Sequence, residues 1–125
     1  MGGRSGVSVA ARWFLDRGYA VSVPLEPAVY DLITESDEGL KRVQVKTSRQ
    51  IAKNGRETVG ISRLVYDSTR PRNANGPRRR APYDPCSIDY FFVVTATQMY
   101  LIPINVVAGL MQLCLDDKYA AFAVA

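Results

Sequence analysis

Apolar residues at Val7, Val9, Ala10, Ala11, Trp13 and Phe14 fall mostly at helical spacing, and Gly18 after Arg17 supplies a stop. That pattern predicts an amphipathic helix over residues 5–17. The period then changes. Residues 19–25, YAVSVPL, alternate and are rich in β-formers, and Pro24 and Pro27 break the run before VYDLITE, residues 29–35. Ser36-Asp37-Glu38-Gly39 is a polar turn that returns the chain as LKRVQVKT, residues 40–47, which predicts a hairpin. IDYFFVVTA (88–96) and MYLIPI (99–104) read as two strands joined by a tight turn, VVAGLMQLCL (106–115) as a short helix, and YAAFAVA (119–125) as a closing strand. Between them, residues 48–87 are polar, basic and proline-punctuated, with one strand expected at ETVGIS, 57–62. This stretch reads as a basic loop or insertion rather than core. No repeat or low-complexity tract interrupts the order.

Composition narrows the class. A chain of 125 residues with 47% hydrophobic content fills one compact core, so a single domain over 1–125 is expected. Trp13 and Phe14, the run Tyr90-Phe91-Phe92 and Cys114, the last on a helical apolar face, are assigned to that core. Cys86 and Cys114 lie far apart without a second pair, so no disulfide framework or zinc-ligand spacing is present, and a reduced, cytoplasmic setting is expected. No apolar run approaches the roughly 20 residues that span a bilayer, and Met-Gly-Gly-Arg-Ser-Gly is not followed by a signal core. A membrane partner is not expected. The absence of histidine removes Ser-His and Cys-His catalysis and every histidine metal site. Hydrolytic chemistry in this chain must rest on carboxylates, lysines and a hard metal held by oxygen.

Side chains along a strand alternate faces, so Gln44 and Lys46 project from one side of 40–47 while Val43 and Val45 project from the other. The turn at 36–39 sets 29–35 beside this strand, which brings Asp31 near Lys46 across the pair. Asp31 as acidic ligand, Gln44 as oxygen ligand and the backbone carbonyl of Val45 make a minimal Mg²⁺ site. Lys46 would polarise the attacking water or offset transition-state charge in phosphodiester hydrolysis. A cross-strand Asp31–Lys46 ion pair on a solvated face, worth about 0.2–1 kcal/mol, explains the same spacing. Spacing leaves both open.

Tyr30-Asp31 followed by the lysine of VQVKT, preceded by a helix ending in RGY and followed by IDYFFVV and YLIPI, resembles the PD-(D/E)XK nuclease superfamily. Within it the sequence is most similar to the small branch of group I intron homing endonucleases and related phage and bacterial endonucleases. The resemblance implies an α/β, restriction-endonuclease-like core with a mixed central sheet flanked by helices. It implies DNA cleavage with Mg²⁺, or Mn²⁺ in its place. Asp31 takes the motif aspartate, with Tyr30 where a proline often stands, Gln44 the second acidic position as in the Q-x-K variant, and Lys46 the motif lysine. Many relatives also carry a glutamate in the first helix. Gly6, Val7 and Ser8 stand near that place here, so either Ser5, Ser8 or Glu26 substitutes, with Glu26 ranked first, or activity is reduced.

The charge of +4, from 16 Lys and Arg against 12 Asp and Glu, is concentrated between Arg49 and Arg80. Arg49, Lys53, Arg63, Arg70, Arg72, Arg78, Arg79 and Arg80 are the expected phosphate contacts, with Tyr66 and Tyr83 available for stacking or backbone contacts. The partner is then double-stranded or branched DNA. A homing-type double-strand endonuclease leads, a Holliday-junction resolvase or other structure-selective nuclease is the alternative, and a non-cleaving DNA-binding protein on a nuclease scaffold is the third reading. Cutting both strands calls for two copies of the Asp31, Gln44, Lys46 set, hence a homodimer or tetramer; the tail 119–125, a candidate edge strand, is either a contact surface between copies or pairs inside its own sheet.

Overall fold

A computed structural model describes residues 2–48, 50–51, 55–65 and 79–125. In chain order the elements are α1 (Gly2–Asp16), β1 (Ala20–Ser22), β2 (Leu32–Ser36), β3 (Gly39–Thr47), β4 (Gln50–Ile51), β5 (Glu57–Gly60), β6 (Ser62–Leu64), β7 (Arg80–Pro82), β8 (Tyr90–Val94), β9 (Met99–Pro103), α2 (Ile104–Val107), β10 (Gln112–Cys114), a 3₁₀ segment (Asp117–Phe122) and β11 (Ala123–Val124). The expected hairpin is there. β2 and β3 are joined through Asp37-Glu38, Gly39 takes φ +101°, and the Glu38 N–H donates to Ser36 Oγ at 3.2 Å.

Six strands form the central sheet in the order β1-β2-β3-β8-β9-β11. β3 and β8 run parallel and the other neighbours antiparallel, so the sheet is mixed, as expected. β8 sits in the interior, and its residues divide the core by alternation. Phe92 points toward α1 and packs with Ala10, Phe14, Leu32, Val43 and Val45. Phe14 and Phe92 lie 5.7 Å apart, and each is buried, a burial worth roughly 1.5–3 kcal/mol per side chain. Phe91 and Val93 point the other way, into a cluster with Val59, Ile61, Tyr83, Ile88, Ile102, Ile104, Val107, Leu113, Leu115 and Tyr119. Among the described residues a long helix covers only the first face. The second is covered by the three-stranded sheet β10-β5-β4, by the β6/β7 pair and by short α2.

Three expectations are corrected. The described part of 48–87 contributes to the core, because Val59, Ile61 and Tyr83 are buried in it, with Thr58 and Ser62 beside them. Their apolar positions are too few and too widely spaced among polar residues to stand out in sequence. The helix expected over 106–115 is confined to Ile104–Val107. Gly109 takes φ +85°, and Gln112–Cys114 then pairs with Gly60–Thr58, burying Leu113 and Leu115 at strand spacing. Cys114 therefore sits half-buried on a strand, not on a helix. The tail forms the 3₁₀ segment before a two-residue strand, which pairs with β9 at the edge of its own sheet. The Ala125 backbone oxygen accepts from Trp13 Nε1 at 2.7 Å and from the Arg17 guanidinium, so the tail is docked on α1.

Candidate active site

β2 opens at Leu32, which pairs with Val43, and the Asp31 N–H donates to the Val43 carbonyl at 2.9 Å. Asp31 thus continues the ladder by one residue and stands opposite Gln44, on the same face, with Lys46 diagonal to it. Beyond Asp31 the prolines turn the chain away, and among the described residues β3 has no partner strand on that side. The Val45 N–H donates instead to Asp31 Oδ2 at 3.1 Å. Both backbone groups of an extended residue point to one side, so the Val45 carbonyl is directed at the same edge. Asp31, Gln44, Val45 and Lys46 are brought together by one strand end.

Burial raises the Asp31 pKa above the ordinary 3.8, against the opposing pull of the Val45 N–H and the Lys46 charge. The carboxyl remains reachable. It lines a cleft of about 720 Å³ with Val7, Ser8, Leu25, Glu26 and Tyr30 among its other walls. Of the three substitutes for the first-helix glutamate, Glu26 and Ser8 line this cleft and Ser5 does not. Val7 and Ser8 of that turn reach the cleft, whereas Gly6 beside them contributes no side chain. A Cβ there would lie 2.5 Å from Thr47 Oγ1, so α1 and β3 approach more closely than any other residue allows.

Asp31 and Lys46 are not an ion pair. Among the described residues the ion pairs are Arg12–Asp16, Arg42–Asp89 and Arg56–Asp116. Lys46 Nζ lies instead over the Tyr83 ring, 5.0 Å from its centroid. Tyr83 is 7% exposed and meets Phe91 edge-on at 5.2 Å, which removes it from the stacking role expected on nucleic acid. Its contact with Lys46 was not legible in sequence, since the two residues belong to segments with no shared pattern. A lone aromatic after Pro82 in a basic stretch was the available signal.

No group of three or more Cys, Asp or Glu side chains gathers among the described residues. The donors at the strand end are one carboxylate, one amide oxygen and one carbonyl, all hard oxygens, a set that fits a hard divalent cation retaining several waters. Of the expected phosphate contacts, Arg63, Arg79 and Arg80 are exposed at the β6/β7 pair. Arg80 Nε donates to Ser62 Oγ at 2.7 Å, which fixes its guanidinium. Arg49, Lys53, Arg70, Arg72 and Arg78, and Tyr66, lie outside the described residues.

Compared with known proteins, the chain matches the family model described as PD-(D/E)XK endonuclease over residues 2–118. Among solved structures it is similar to that of a bacterial homing endonuclease, I-Ssp6803I, with a TM-score of 0.77 and 26% sequence identity, covering 97% of this chain and 85% of that one. No curated protein matches the chain. The family match runs from the first turn of α1 into the 3₁₀ segment and takes in both layers of the fold, and the chain belongs to the PD-(D/E)XK endonuclease family.

Proposed function

We propose that this chain is a Mg²⁺-dependent DNA endonuclease of the homing type, with Asp31, Gln44 and Lys46 as its working groups. The observation that carries the reading is their placement on one face at one end of β3, with Asp31 lining a cleft, in a chain of this family. Asp31, Gln44 and the Val45 carbonyl would hold the cation, with Mn²⁺ able to replace Mg²⁺. When bound, the ion supplies Lewis acidity toward the phosphodiester. The Val45 N–H holds Asp31 Oδ2, and Asp31 lines the cleft. Lys46 offers its N–H groups to the attacking water and to the phosphate oxygens on which charge builds. Glu26, on the cleft wall, is the second carboxylate there and can accept a proton from that water. Arg63, Arg79 and Arg80, with the other basic residues of 49–80, bind phosphates along the duplex. One chain holds one such set, so cleavage of both strands requires a homodimer or a dimer of dimers.

Incubation with supercoiled plasmid, linear duplex and a synthetic four-way junction, each with Mg²⁺ or chelator, tests this. Double-strand cleavage of duplex DNA that chelator abolishes is expected. Selective cleavage of the junction would instead make the chain a resolvase, and binding without Mg²⁺-dependent cutting would make it a DNA-binding protein on a nuclease scaffold.

A further inference from the structure

We propose that Tyr83 is the positioning residue for Lys46, holding its ammonium apart from Asp31; the proposal rests on Lys46 acting in cleavage. A lysine ammonium beside a carboxylate on the same sheet face would ordinarily pair with it. Such a pair would cancel the charge Asp31 offers a cation and draw Lys46 away from the phosphate. The structure shows another arrangement. Lys46 Nζ lies over the Tyr83 ring at 5.0 Å, within reach of the negative face of its π system. The ring cannot drift, because it is 7% exposed and packed edge-on against Phe91 at 5.2 Å and 90°. Phe91 is the register partner of Gln44, and Val93 that of Lys46. The strand that places the ring therefore also places the two site residues it serves.

The chain path adds a second consequence. Tyr83 directly follows β7, which carries Arg80, itself tied to Ser62 on β6. Phosphate contacts made by Arg79 and Arg80 and the seat of Lys46 thus belong to one short, continuous segment. DNA bound on that hairpin would meet Lys46 in a set relation to the strand.

The test uses the full chain and two readouts. In the free protein, ring current from Tyr83 shifts the Lys46 Hε resonances upfield. Tyr83→Phe retains that shift and Tyr83→Leu abolishes it. In single-turnover cleavage with Mg²⁺, Tyr83→Phe keeps the parent rate, whereas Tyr83→Leu loses about five- to thirtyfold with DNA affinity unchanged. Should the leucine variant fail to fold, phenylalanines of increasing fluorination at position 83 keep the shape and weaken the ring's negative face, and the rate falls stepwise. A flat fluorination series, or an unchanged rate in Tyr83→Leu, would overturn the proposal. If the parent protein cleaves no DNA, the resonance shift still reports the contact, so failure of the nuclease reading is seen separately.

Discussion

Asp31 Oδ2 accepts the N–H of Val45 at 3.1 Å, closing the rung that β2 leaves open at its own start. One hydrogen bond therefore fixes the carboxylate and orients the backbone of the strand that carries Gln44 and Lys46. The bond favours the ionised form, but burial outweighs it and lifts the Asp31 pKa above 3.8. A carboxyl with a raised folded pKa stabilises the protein fully below its unfolded value and loses that contribution as pH rises through the folded one. Asp31→Asn is accordingly expected to raise Tm at neutral pH, with the gain closing below about pH 3.8. Thermal melts of both proteins across pH 3–8 check the sign, and a lower Tm for the variant at pH 7 would contradict it.

The same variant separates stability from activity. Asp31→Asn and Lys46→Ala are each expected to lower the single-turnover cleavage rate by about 10²- to 10³-fold while binding duplex with near-parent affinity. In the parent protein the acid limb of the rate profile should move to lower pH as Mg²⁺ is raised, because a cation held by Asp31 would compete there with the proton. Near-normal turnover by either variant removes that residue from the site.

Asp89 joins β3 to the start of β8. It accepts the Arg42 N–H at 2.7 Å and Arg42 Nε at 3.2 Å, while Arg42 Nη1 donates to the Cys86 carbonyl at 2.8 Å. Burial acts against its charge, but the Arg42 hydrogen bonds and the charges of Arg42 and Lys41 bring its pKa below the ordinary value. This contribution is present above the unfolded pKa and lost as pH falls through the folded one. Asp89→Asn should cost about 1–2 kcal/mol at pH 7, the low end for charged hydrogen bonds because the pair is about a third exposed (37% and 33%). Urea melts should show that difference shrinking below pH 4 (ordinary carboxylate value 3.8).

Binding to duplex DNA should depend on salt through the arginines. Removing one phosphate-binding cation reduces the slope of log affinity against log salt by roughly 0.9. Alanine replacement of Arg78, Arg79 and Arg80 together, and of Arg63 alone, resolves the share of each group by titration between low and moderate salt. An unchanged slope in the triple variant would turn these arginines away from DNA.

Gly6 and Thr47 should be coupled. Alanine in a helix interior ordinarily gains up to about 1 kcal/mol over glycine. Here the 2.5 Å approach to Thr47 Oγ1 reverses the sign, and Gly6→Ala should cost about 1–3 kcal/mol. In a Thr47→Ala background the nearest neighbour becomes Val45 Cγ1 at 3.4 Å, and the same substitution should become neutral or stabilising. Additive melts would show that the helix shifts freely.

Local rules carried the first half of the chain. Helical spacing from Val7 to Phe14, the turn at 36–39 and the period-two placement of Gln44 and Lys46 each depend on neighbours within a few residues, so the hairpin and its polar face could be read from the sequence alone. The match of Asp31 to Lys46 followed from that register. What needed the tertiary structure was decided by partners distant in sequence. β5 draws Gln112–Cys114 into a strand although its apolar residues read as a helix, because pairing with Gly60–Thr58 satisfies backbone groups that Gly109 has released from the helix. Tyr83 reads as an exposed aromatic in a basic stretch, yet Phe91 and the second core layer bury it and turn Lys46 toward its ring. Spacing left Asp31 and Lys46 equally able to form an ion pair or a divided site, and the choice fell to a ring lying 37 residues further along the chain, placed by packing that no local pattern encodes.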